Sequence, residues 1–172
     1  MAMARTAIRN ICSLSPPDPG TVLTKANKTL SEDNDSSMFV TVVLAFYEID
    51  TGKLSYANAG HLYPIVYCND NPIKELAAEV YPAIGVLDDI EYPSFTQTLL
   101  KDETLIIFTD GVTEAVDEKG NFYGDEGIQN YIKENQKISN SEFLTKLFDE
   151  LVQFQKNKIA DDITVFLITR KT

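Results

Sequence analysis

At 172 residues the chain has the length of one ordinary domain, and its 44% hydrophobic and 24% charged residues are those of a globular protein with a real core. A net charge of −11 argues against non-specific nucleic-acid binding and against docking on anionic membrane, and leaves a protein partner open. No apolar run reaches the roughly 18 residues of a membrane span, and Arg5 and Arg9 interrupt any signal-peptide core. Cys12 and Cys68, far apart and without CxxC spacing, read as free buried thiols of a cytoplasmic protein.

Ala4, Ala7, Ile8 and Ile11 recur at helical spacing with no capping residue before them, which predicts a helix in mid-course and structure upstream of it. A proline-rich break over 13–20 contains Asp18-Pro19, an N-cap followed by proline at the first helical position. The helix it opens places Val22, Leu23, Ala26 and Leu30 on one side, and residues 31–37 form a polar, acidic loop. The apolar run 38–47 predicts a central strand, the turn Asp50-Thr51-Gly52-Lys53 follows, and residues 54–57 return as a hairpin partner. Asn58-Ala59-Gly60-His61 is a second turn. Residues 62–67 are expected to be the third strand of the same meander, at an edge or bulge because of Pro64.

A turn at 69–72, a short strand at 73–76, a loop at 81–89 and a strand at 95–100 come next. Residues 104–109 are an apolar run rich in β-formers and read as a strand buried on both faces. Residues 116–124 read as a mobile surface loop, and Ile128, Tyr131 and Ile132 mark a short helix. Ser139 and Glu142 form a capping box opening a longer helix, whose apolar stripe is Leu144, Leu147, Phe148 and Leu151. Residues 163–168 are the last strand. This order is α+β with largely antiparallel sheets, not a doubly wound fold.

The chemistry lies in acids at strand ends. Asp110-Gly111 terminates the strand at 104–109, and Asp161-Asp162 immediately precedes the last one. If those strands are antiparallel neighbours, the two sets of carboxylates meet at one edge of the sheet. Adjacent Asp161 and Asp162 repel each other unless solvated, hydrogen-bonded or neutralised by a cation. Taken alone, the acids are either solvated turns or ligands for a hard cation such as Mg²⁺ or Mn²⁺.

Five segments, in order and in register, resemble the PPM-type metal-dependent protein phosphatases of the bacterial SpoIIE/RsbU branch. They are Met38-Phe39-Val40-Thr41, Tyr56-Ala57-Asn58-Ala59-Gly60-His61, Ile84-Gly85-Val86, Phe108-Thr109-Asp110-Gly111-Val112-Thr113-Glu114-Ala115 and Asp161-Asp162-Ile163-Thr164. The resemblance implies an αββα sandwich with a binuclear Mn²⁺ or Mg²⁺ site at one end of the sheets. It implies Asp110 and Asp161 as metal ligands, with Gly111 and Asp162 in supporting positions, and no catalytic group beyond a water activated by the two cations. The implied reaction is hydrolysis of phosphoserine on a small regulatory protein, such as an anti-sigma-factor antagonist, in a parent protein with an upstream sensor or receiver domain.

The family's two upstream acidic motifs, of Gly-Asp-(Phe/Tyr)-(Tyr/Phe)-Asp and Gly-Asp-Val-Ser-Gly-Lys-Gly types, are absent from this chain, and residues 1–12 resemble the helix after the second of them. Residues 1–172 are therefore expected to form a single partial phosphatase domain, inactive alone and binding a cation weakly or at one site. His61, the only histidine, reads as general acid, ligand or turn-stabilising donor, with a structural role favoured. Glu114, four residues past Asp110, is either a solvated carboxylate or a group reaching a metal through water. Two other functions stay open: an inert, truncated or pseudophosphatase module acting by partner binding, and an unrelated acidic α+β domain whose Asp pairs are only turns. Oligomeric state, a homodimer included, is likewise open.

Overall fold

The computed structural model describes residues 2–13, 18–32, 38–69, 72–76, 79–156 and 161–171. In chain order these form helices α1 (Ala2–Cys12) and α2 (Pro19–Ser31), then strands β1 (Val42–Tyr47), β2 (Lys53–Ala59), β3 (Ile65–Tyr67), β4 (Lys74–Glu75), β5 (Phe95–Thr98) and β6 (Thr104–Phe108). A one-turn helix α3 (Asp110–Thr113), helices α4 (Gly124–Asn135) and α5 (Asn140–Phe154), and strand β7 (Val165–Thr169) complete them. The strands make two antiparallel sheets, of order β1-β2-β5 and β4-β3-β6-β7. Two compact units result, one of residues 1–61 and 78–98, the other of 62–77 and 99–172. Parts of the breaks and loops expected at 13–20, 31–37 and 69–72 lie outside the described residues. Among those described, no helix is long and apolar enough to cross a membrane.

In the first unit, Asp18 caps α2 by accepting from the Thr21 N–H at 2.8 Å. The apolar side of α2 buries Val22, Leu23 and Ala26, and Leu23 and Ala26 share a core with Ala57 and Ala59 of β2 and Ile84. Asn27, fully buried on the same side, holds the following loop: its Nδ2 donates to the Leu87 and Asp88 carbonyls and its Oδ1 accepts from the Gly85 N–H. β1 is an outer strand of its described sheet and β2 the middle one, so the expectation of a central strand at 38–47 is corrected. An apolar run reports that the faces of a strand are covered, here by α2, and says nothing about its edges. The third strand also departs from expectation. β3 pairs with β4 and β6 in the other sheet, so the meander ends at the 58–61 turn.

In the second unit β6 is flanked on both sides, by β3 and β7, and is buried at four of its five positions. Its Ile106 and Phe108 share a core with Ile128 and Ile132 of α4 and Phe143 and Leu147 of α5. The α5 stripe is turned from the expected one: Phe143, Leu147 and Leu151 are buried, whereas Phe148 is 50% exposed. Positions four apart from 143 point inward, and 148 falls between them. Residues 116–124 carry a hydrogen-bonded turn. Val116 bridges Phe122, and the Asp117 carboxylate accepts from the Lys119 and Asn121 N–H groups and the Asn121 amide. Cys12 and Cys68 are free but only half-buried.

Two stability effects follow. Asn27→Ala removes the partner of three loop groups and should lower the unfolding free energy by about 2 kcal/mol, read as a lower urea midpoint at unchanged slope. The hydrogen bonds from the Ser94 hydroxyl and from Thr21 hold the Asp18 carboxyl below its ordinary value of 3.8. A depressed carboxylate stabilises the fold fully above its unfolded pKa and loses that contribution as the pH falls through the lower folded value. Asp18→Ala should therefore cost about 1 kcal/mol at neutral pH and flatten the acid side of the stability–pH curve, measured by thermal unfolding between neutral pH and pH values below the ordinary carboxylate range.

Candidate functional site

The β6–β7 ladder runs from Thr104 opposite Thr169 to Phe108 opposite Val165. The end of β6 and the start of β7 thus share one edge of the sheet, as the antiparallel reading requires. One further backbone bond continues the ladder, from the Thr109 N–H to the Thr164 carbonyl at 3.0 Å. There the two chains part. The Thr109 carbonyl turns into α3 and accepts from the Val112 N–H at 3.1 Å. Thr109 stands at the N-cap of α3 with extended backbone (φ −82°, ψ 164°), yet its side chain makes no capping bond. Its hydroxyl instead crosses to the other chain, accepting from the Thr164 N–H at 3.0 Å and donating to the Asp162 carbonyl at 3.2 Å.

Asp110 follows as the first residue of α3, and Asp161-Asp162 lie just before β7. All three acids are exposed. Two of them are oriented in the same local way: the Asp110 Oδ1 accepts from the Gly111 N–H at 3.1 Å, and the Asp161 Oδ1 from the Asp162 N–H at 2.7 Å. Each of those carboxylates keeps its second oxygen for another partner. Gly111 is buried, and a Cβ there would sit 2.5 Å from the Asp162 carbonyl oxygen. This glycine is set by close approach of two backbones rather than by a left-handed φ. Glu114 ends α3 through its N–H on the Asp110 carbonyl at 2.7 Å, with its side chain exposed. Among the described residues, no three or more His, Cys, Asp or Glu side chains are grouped to hold a metal ion.

His61 belongs to the first unit. The Asn58 side chain brackets its backbone, Nδ2 donating to the His61 carbonyl at 2.9 Å and Oδ1 accepting from the His61 N–H at 2.8 Å. Gly60 between them has φ +71°, and a Cβ on it would meet the Ala83 nitrogen at 2.8 Å. These contacts make Asn58-Ala59-Gly60-His61 a turn. In the second unit, burial raises the Tyr67 phenol to about 12 and lifts those of Tyr123 and Tyr131 further. These phenols stay protonated at working pH and act as packing groups and hydrogen-bond donors, as Tyr131 does to the Phe143 carbonyl.

Sequence reasoning found the acids and His61 and missed the roles of Thr109, which ties the strand ends beside the acids, and of Asn58, which brackets the His61 backbone in the other unit. The available signal was positional. Thr109 is a hydroxyl at the end of an apolar strand, and Asn58 stands three residues before the residue whose backbone it brackets.

Residues 1–171 match the family model for stage II sporulation protein E (SpoIIE). Phosphoserine phosphatase RsbU of Bacillus subtilis (strain 168) is 33% identical over 154 residues, covering 89% of this chain and 45% of RsbU. The chain therefore spans less than half the length of that curated relative. Among solved structures, the SiaA-PP2C domain of Pseudomonas aeruginosa matches with a TM-score of 0.84 at 20% identity, covering 98% of this chain and 68% of that one. The manganese-presoaked phosphatase domain of SpoIIE from Bacillus subtilis matches at 0.69 and 17% identity, covering 98% and 73%. At these identities the structural likeness is one of fold, and it agrees with the α+β class and antiparallel sheets found here. The family match over residues 1–171 excludes an unrelated acidic domain. The chain belongs to the SpoIIE family of PPM (PP2C)-type phosphatase domains, the branch that contains RsbU.

Proposed function

We propose that this chain is part of a metal-dependent protein serine phosphatase that removes phosphate from phosphoserine on a small regulatory protein. The observation that carries this reading is the shared edge. The β6–β7 register puts Asp110 and the Asp161-Asp162 pair at the same end of one sheet, in a chain matched to the family over residues 1–171. The relative's name, phosphoserine phosphatase, supports phosphoserine as the substrate group. A phosphorylated regulator of anti-sigma-factor-antagonist type, an upstream sensor or receiver domain and a cytoplasmic setting belong to the same proposal.

The donor set suits Mn²⁺ or Mg²⁺. The acids are exposed carboxylates, hard oxygen donors, and Asp110 and Asp161 each have one oxygen steadied by the next N–H. Asp110 and Asp161 would hold the cation, while the adjoining Asp162 carboxylate would support them and Gly111 lets the two backbones approach. When bound, a pair of such cations supplies a nucleophile at neutral pH and neutralises charge on a phosphoryl group. The described acids account for only part of a two-cation set, since no group of three or more metal-capable side chains is present among the described residues. The second reading is that this stretch alone is inert and acts by binding a partner.

Substitution in the full-length natural protein tests the assignment, with a phosphoserine protein substrate and Mn²⁺. Asp110→Asn and Asp161→Asn should each lower turnover by about 100-fold or more with the fold retained by circular dichroism, and Asp162→Asn by about 10-fold. Full activity in Asp110→Asn at saturating Mn²⁺ would refute the ligand role. The 172-residue chain by itself should take up Mn²⁺ weakly, at one site, in a calorimetric titration, and should not turn over a phosphopeptide. Two tight sites would show that the ligands are misassigned.

A further inference from the structure

We propose that Thr109 is a positioning residue for the acidic edge, its hydroxyl fixing the Asp161-Asp162 segment against the strand end that carries Asp110. The inference rests on the reading of those acids as cation ligands. The two residues of a hydrogen-bonded antiparallel pair exchange two backbone bonds, N–H to carbonyl in each direction. At the Thr109–Thr164 pair only one is made between backbones, because the Thr109 carbonyl is committed to the first turn of α3. The hydroxyl stands in for that carbonyl by accepting from the Thr164 N–H, and it spends its own proton on the Asp162 carbonyl. One oxygen thus replaces the missing ladder bond and adds a second tie, two residues farther along, to the backbone of the acid pair.

The side chain's failure to cap α3 is the sign that it is used elsewhere. An N-cap threonine commonly accepts from the second or third N–H of its helix, and this one does not. Gly111 acts in the same sense from the next turn, its Cα packed so near the Asp162 carbonyl that a methyl group has no room. The backbone around Asp162 is therefore held from two sides, while the side chains of Asp110, Asp161 and Asp162 remain exposed. Groups that orient metal ligands from behind commonly contribute 10–100-fold to affinity. The hydroxyl of Thr109, which reaches no ligand side chain, does so through the main chain.

The test compares Thr109→Val, which keeps the β-branched shape and loses the hydroxyl, with Thr109→Ser, which keeps the hydroxyl. Both are made in the full-length natural protein beside Asp110→Asn, with Mn²⁺ as the probe. Thr109→Val should weaken Mn²⁺ binding by about 10-fold or more at a temperature where the metal-free protein is fully folded, and Thr109→Ser should restore it to within about threefold. The Thr164 amide should exchange its hydrogen faster in the valine variant. In the wild-type protein, saturation with Mn²⁺ should slow that same amide, since the coupling between the tie and the ion is reciprocal. This last measurement needs no variant to fold. Mn²⁺ affinity unchanged in Thr109→Val but lost in Asp110→Asn would overturn the positioning role and leave the ligand assignment standing, as would a wild-type Thr164 amide indifferent to Mn²⁺. Wild-type protein that binds no Mn²⁺ would overturn both.

Discussion

The antiparallel pairing of β6 with β7 is the constraint on which the acidic edge depends. It sets the end of β6, followed by Asp110, and the start of β7, preceded by Asp161-Asp162, at one edge of the sheet. Each ladder hydrogen bond contributes about 1 kcal/mol net, and the ladder has several, with Ile106 and Phe108 buried beneath it. Its two ends are both finished by threonine hydroxyls. At the far end Thr104 and Thr169 share a hydrogen bond at 2.8 Å, and Thr169 continues to Asn140. At the acidic end Thr109 does the corresponding work, so neither end relies on backbone pairing alone.

The family signatures divide along physical lines. Asn58 and Gly60 are used in making a turn: an amide that brackets a backbone and a glycine that supplies a positive φ beside Ala83. Gly85 is bound to the buried Asn27 and shapes the loop that follows. Asp110, Asp161 and Asp162 are exposed and make few internal bonds. Backbone geometry in one unit and exposed carboxylates in the other are separate requirements, and each unit has its own core to meet its own.

Much of this was legible in the chain itself. Asp18-Pro19 announced α2, Ser139 and Glu142 announced α5, and the apolar run before Asp110 announced the buried strand, because caps and buried strands are written in a few adjacent residues. The placing of β1 and β3 was not legible. Whether an apolar strand has one neighbour or two depends on partners distant in sequence, and residues 62–67 contain nothing that states which sheet they join. The rotation of the α5 stripe was missed because Phe143 lies one residue before the pattern that was counted. At the acidic edge the carboxylates were found by type. The hydroxyl of Thr109 was not, since its use depends on a carbonyl being drawn away by the adjoining helix.

The pairing that makes the edge joins two of the more distant parts of the described chain, with α3, α4 and α5 lying between β6 and β7 in sequence. During synthesis at roughly 5–20 residues per second, β6 is complete for several seconds before its partner emerges. In that interval its Thr-Leu-Ile-Ile-Phe sequence has no β7 along one side, an apolar and charge-free edge of the kind that pairs readily with other chains. Arrival of β7 closes that edge and sets Asp161-Asp162 at the same end of the sheet as Asp110. The acidic edge is thus among the late features of this unit to form, and a nascent chain stalled before β7 carries the aggregation hazard without the chemistry.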